Sequence, residues 1–270
     1  MKYVLVLLIC FILIIGCTTT QNDQMDFDKE ENFSPDNIPE KAKLKITETN
    51  KPENKLVDDT FIVANPFDLS QISAVSKFRS CVGHDYSGLN VKGELETQRS
   101  MKHYLNGVDS VVGYSNKVKV YAPFDGKIAQ IEDDFASFEG KQRGKQIWLS
   151  GNSAGDWVFV FFHVDLLESI IKGTEVKTGQ HIGYGNLDNA PNFDITLKKF
   201  GFLGPNTIES PFLHMDSEVM EQYTKRGLNL EDFVVSKSAR DSKPCSCSGE
   251  YCAFPSTTPE SKPEDWVLVR

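Results

Sequence analysis

The sequence predicts a mainly β fold, a hairpin-rich and mostly antiparallel sheet with helix confined to its flanks. Three observations predict it. The segments KVKVYAPF (117–124), GKIAQIE (126–132), GKQIWLS (144–150) and DWVFVFFHV (156–164) alternate or run apolar, with β-branched and aromatic residues throughout. Gly, Pro, Asn and Asp punctuate the gaps between them. The one clear helical pattern, SEVMEQYTKR over 217–226, comes late.

Taken in chain order, the first element is an export signal. MKYVLVLLICFILIIGC has one Lys2 before an apolar stretch from Tyr3 to Gly16, too short to span a bilayer, which needs roughly 20 apolar residues. Ile14, Ile15, Gly16 and Cys17 resemble the lipobox of prokaryotic lipoproteins, which implies cleavage before Cys17 and lipidation of that cysteine. The expected signal peptide is therefore 1–16, and the membrane is reached through lipid on Cys17. An uncleaved anchor or a plain secretory signal are the alternatives; both leave the bulk of the chain outside the cytoplasm.

Residues 17–56 are rich in Asp, Glu, Lys, Asn, Pro and Thr and carry no periodic apolar run, so they are expected to form a disordered tether. Apolar patterning defines a β domain over 57–235, followed by a loop-rich, cysteine-containing tail, 236–270. Within the domain, Val118 and Val120 alternate with Lys117 and Lys119. Pro123-Phe124-Asp125-Gly126 makes a turn from the fixed φ of Pro and the tolerance of Gly for positive φ. In the short C-terminal helix, Ser217 is the expected N-cap and Gly227 the terminator. A formal net charge of −9 without a Lys/Arg cluster argues against a nucleic-acid partner or a polybasic membrane contact.

YAPFDGKIAQIE, FFHVDL and IIKGTEVKTGQHIGYG together resemble the barrel core of lysostaphin and LytM-type zinc peptidases, the duplicated hybrid motif family, over roughly 101–199. The resemblance implies an antiparallel β-barrel or sandwich. Biotinyl and lipoyl carriers share the G-x-V-x-x-G-x-x-I turn and form the alternative, but no lysine sits in a tight carrier-type hairpin. In the resembled family a His and an Asp of H-x-x-x-D and the second His of H-x-H hold zinc, while two further histidines serve the attacking water. A catalytic zinc needs three protein ligands and a water whose pKa falls toward about 7.

Carried over residue by residue, His163 of FFHVDL matches the first catalytic histidine and Asp109 the carboxylate ligand. Leu105 stands at the first ligand, with His103 two residues early, and Asn192-Phe193-Asp194 replaces H-x-H. A metal site, if one forms, is expected from Asp109, His103 and Asp194, an oxygen-rich set better suited to Ca or Mn than to zinc. The main expectation is a non-hydrolytic, membrane-anchored domain that needs no cofactor and binds cell-envelope glycan, peptide or a partner protein. The alternative is an active zinc metalloendopeptidase with rearranged ligands, using His163; a third reading is a purely structural envelope protein.

KFRSCVGHDYSG gathers Arg79, His84, Asp85 and Tyr86, residue types that suit a carboxylate or sugar ligand. Setting aside Cys10 and Cys17 leaves Cys81, Cys245, Cys247 and Cys252, an even number for an oxidising compartment. Cys245 and Cys247 are too close in sequence for an unstrained mutual bridge, so a tail cysteine is expected to reach Cys81. A metal knuckle of the same four is the alternative.

Overall fold

The computed structural model of the chain describes residues 60–135, 142–188, 190, 192–200, 205–249, 252–255 and 258–269. The expected signal, Cys17 and the tether lie outside the described residues. Those residues form eleven strands: β1 (Ile72–Ser76), β2 (His103–Gly107), β3 (Val118–Tyr121), β4 (Gly126–Phe135), β5 (Gln142–Ser150), β6 (Trp157–Leu166), β7 (Glu175–Val176), β8 (His181–Gly185), β9 (Asn192–Lys199), β10 (Thr207–Glu209) and β11 (Trp266–Leu268). The sheet runs β11-β1-β2-β9-β6-β5-β4-β7, with β10 on β9 and β8 shared by β3 and β6. All of these pairings are antiparallel. The mainly antiparallel β architecture expected from the alternation is thus the one that forms.

The alternation places the core. Val118 and Val120 of β3, Phe159 and Phe161 of β6, and Phe193, Ile195 and Leu197 of β9 are buried in one cluster. Phe212, Tyr223 and Phe233 close its end, the first and last stacked at a ring separation of 4.0 Å. Each such ring removed from water contributes about 2 kcal/mol, which ties the flanking segments to the sheet.

The flanks differ from the sequence expectation in detail. Helix α1 is Ser217–Thr224, but its N-cap is Asp216, whose carboxylate accepts from the Val219 N–H at 2.8 Å. Asp216 was available one residue earlier, and its side chain reaches the third helical N–H as well as a serine does. The tail is less loop-like than its composition suggested. It holds a helix, α2 (Lys237–Ser242), and its apolar run Trp266-Val267-Leu268 pairs with β1 through Ser76↔Trp266, Val75↔Val267 and Ala74↔Leu268.

Strand β6 changes partners along its length. Trp157 to Phe162 pair with β9, whereas Val164 to Leu166 pair with β8. Against β5, Phe161 faces Ile147 and Val164 faces Lys145, so β6 carries one extra residue at this point. Such a bulge bends the strand and re-aims a side chain. The residue at the break is His163, with φ of 59°. Gly144 of β5 passes beside it; a Cβ there would sit 2.9 Å from the Val164 backbone, so only glycine fits.

Candidate functional site

The face of β2, β6 and β9 opposite the main core carries the polar site. Asp194 of β9 lies across from Tyr104 of β2 on one side and Phe162 of β6 on the other, so the three side chains share this face. Lys102, immediately before β2, joins them: its Nζ is 3.3 Å from Asp194 Oδ2, and both side chains are about as buried as the core, 5% and 1% exposed. The same ammonium sits 3.7 Å from the centre of the Phe162 ring and 4.1 Å from that of Tyr86. A carboxylate and two π faces therefore replace its hydration shell.

The bulge brings His163 to this cluster. Its Nε2 is 3.8 Å from Asp194 Oδ2, and its Nδ1 is 3.0 Å from Asp134 Oδ2 of β4, an ion-pair distance off the line of a well-directed hydrogen bond. Asp134 Oδ2 also accepts the His163 backbone N–H at 3.2 Å. Burial pushes the Asp134 carboxyl up, but the contact and charge of His163, with the charge of Lys102 behind it, outweigh burial and hold it below its ordinary value. Among the described residues Asp194 Oδ1 has no hydrogen-bond partner, although it is buried.

A strap from residues 81 to 86 lies over the face and is held by the tail. His84 bridges Ala253 antiparallel, the Asp85 N–H donates to the Cys252 carbonyl at 3.0 Å, and the Phe254 N–H donates to the Gly83 carbonyl at 2.9 Å. Disulfides Cys81–Cys245 and Cys247–Cys252 fix both sides of this pairing. A tail cysteine does reach Cys81, as expected, and the remaining two bridge each other across a separation of 5 residues. Gly83 touches the site directly: at φ of 74°, a Cβ there would be 2.1 Å from Tyr104 Oη.

Of the four residues expected to bind a ligand, Tyr86 and His84 lie toward the site, while Arg79 and Asp85 hold the surrounding chain together. Tyr86 covers Lys102, and the His84 ring packs edge-on to Tyr86 at 6.3 Å. Burial lowers the His84 pKa below its ordinary value, and the positive charge of Lys102 acts in the same direction; the Asp85 carbonyl bonded to Nδ1 and the charge of Asp194 oppose them. Arg79 is instead bidentate to buried Glu96 at 2.7 and 2.9 Å. Asp85 accepts the N–H groups of Gln98 and Arg99 at 3.1 and 3.3 Å, closing a turn.

The expected metal set of Asp109, His103 and Asp194 is not assembled. His103 pairs with Ile195, one register away from Asp194, and so points to the opposite face. There its Nδ1–H donates to the Ser76 carbonyl at 2.7 Å and its Nε2 meets the Ser210 hydroxyl at 2.8 Å. Burial lowers its pKa to about 4, and both ring nitrogens are engaged. Asp109 is exposed beyond the end of β2, lining a cavity of about 700 Å³ with Ser73, Asn106, Glu260 and Leu268. Among the described residues no group of three His, Cys, Asp or Glu side chains is gathered as a metal site.

Of the residues named from sequence for peptidase chemistry, His163 and Asp194 do come together, and Lys102 comes with them. This set does not fit a zinc ion. The Asp194 carboxylate pairs with an ammonium, which has no lone pair to give a metal, and His163 Nδ1 lies against Asp134 at 3.0 Å. Lys102, Asp134 and Tyr104 were not anticipated. The alternation in SMKHYL carried the signal for Lys102, since a period of two that buries His103 and Leu105 on one face puts Lys102 and Tyr104 on the other.

No protein-family model matches this chain, and no curated protein matches it. Solved structures do. The chain is similar to Helicobacter pylori Csd3 at 14% identity and a TM-score of 0.36, covering 62% of this chain and 40% of that one. It is similar to a structure of the SpoIIQ-SpoIIIAH pore forming complex at 19% identity and a TM-score of 0.40, covering 60% of this chain and 97% of that one. A third similarity, to lysostaphin, has 16% identity and a TM-score of 0.28 over 67% and 62% of the two chains.

Proposed function

We propose that this chain is an extracytoplasmic lipoprotein, anchored through Cys17, whose β domain binds cell-envelope glycan, peptide or a partner protein without hydrolysing it. The observation that carries the non-hydrolytic part is the separation of the donors. His103 is engaged in the core, Asp109 is exposed past β2, and the Asp194 carboxylate is neutralised by Lys102. No zinc-activated water can be derived from that set. The exported, anchored part rests on the apolar stretch ending at Cys17 and agrees with two disulfides, which persist in oxidising compartments.

Two measurements test the proposal. Mass spectrometry of the mature protein is expected to find an acylated Cys17 at the N-terminus; an intact Met1 would remove the anchor. Purified protein is expected to co-sediment with peptidoglycan sacculi or to cross-link to an envelope protein in intact cells. Retention in neither experiment above that of an acidic control protein rejects the binding role.

A further inference from the structure

The Lys102 ammonium is a closely confined charge on the polar face. Its neighbours are arranged as a receptor for a small organic cation: the Asp194 carboxylate at 3.3 Å and the Phe162 and Tyr86 rings at 3.7 and 4.1 Å to their centres, with the side chain only 5% exposed. The carboxylate itself is buried, with Oδ1 unpaired among the described residues and Oδ2 shared by Lys102 and, at 3.8 Å, His163. A buried carboxylate calls for a cationic partner, and the chain supplies one from its own Lys102 side chain.

We propose that this face is an alkylammonium site occupied in cis, in which Lys102 is the resident ligand that pairs with the Asp194 carboxylate and packs under the Tyr86 strap. The inference rests on reading the site as non-hydrolytic. It goes further by naming the chemistry that the site accepts, a primary alkylammonium held by one carboxylate and two aromatic faces. The π faces distinguish such a site from a metal centre, because they attract an ammonium through the ring quadrupole but give a divalent ion no lone pairs to replace its tightly held water.

Truncation at Lys102 makes the test. Lys102→Ala removes three methylenes and the ammonium, a volume with the shape of n-propylammonium. The disulfide-intact variant is expected to unfold at a lower temperature than the wild type. Millimolar n-propylammonium is expected to raise that temperature, while n-propanol, its neutral isostere, does not, and neither changes the wild type beyond the salt control. Equal effects of amine and alcohol, or none from either, overturn the proposal.

If Lys102→Ala does not fold, Lys102→Met retains most of the stem without the charge. Adding Asp194→Asn to Lys102→Met is then expected to recover stability, because the orphaned carboxylate is removed; a double variant no more stable than the single one overturns the proposal. Failure of rescue leaves the non-hydrolytic reading standing, whereas peptide cleavage by the wild type would defeat that reading whatever the amine does.

Discussion

Acidification should weaken this fold through His103, and by an amount the structure sets. The imidazole is fully buried between the Ser76 carbonyl and the Ser210 hydroxyl and packs against Phe78 and Phe212. Burial lowers its pKa from 6.5 to about 4, while in the unfolded chain it titrates near its ordinary value. The unfolded state therefore binds more protons between those values, so the contribution of His103 is fully present above about pH 6.5 and is lost as pH falls toward about 4. Linkage gives about 2 kcal/mol lost between pH 7 and pH 5 from this residue alone. The assay is urea unfolding at the two pH values for the wild type and for His103→Gln, which keeps a donor and an acceptor but cannot titrate. Other groups, His84 among them, contribute to both proteins and cancel in the comparison. A pH dependence equally steep in the variant would refute the assignment.

Other expectations follow from the strap and its supports. Glu96 is buried and pairs with both Arg79 and Arg99, so Glu96→Gln leaves two guanidinium groups under-compensated and should cost about 3 kcal/mol in denaturant unfolding. The Cys81–Cys245 bridge spans 164 residues, and replacing both cysteines by serine should cost about 5 kcal/mol by chain entropy, read as a lower unfolding midpoint in the oxidised protein. Gly83→Ala combines a left-handed φ with a clash against Tyr104 Oη and should cost about 2 kcal/mol, with faster hydrogen exchange at the Phe254 amide that bonds Gly83.

The sheet was legible because strand alternation is local. The four expected segments around 117–164 became β3 to β6, each within a few residues of its predicted bounds. Part of the site was legible by another route: the resemblance singled out His163 in FFHVDL and Asp194 in Asn192-Phe193-Asp194, and the two side chains do come within 3.8 Å. What the sequence did not give away was register. Whether His103 or Lys102 faces Asp194 turns on a one-residue offset between β2 and β9, and histidine drew the metal reading to the wrong face. Arg79 and Asp85 looked like ligand groups because their partners, Glu96 and the amides of Gln98 and Arg99, lie 13 to 17 residues away in a segment without periodic pattern. Residues 252–254 fold back on the strap through backbone bonds, which no side-chain pattern announces.

The central claim is that this β domain does not hydrolyse envelope peptides. Its most direct test is incubation of the disulfide-intact protein, supplied with zinc, with peptidoglycan and glycine-rich peptides, followed by chromatography of the soluble products. The account predicts the same profile as a no-protein control, and the same again for His163→Ala. Product formation that depends on the wild-type protein and disappears in His163→Ala would contradict it.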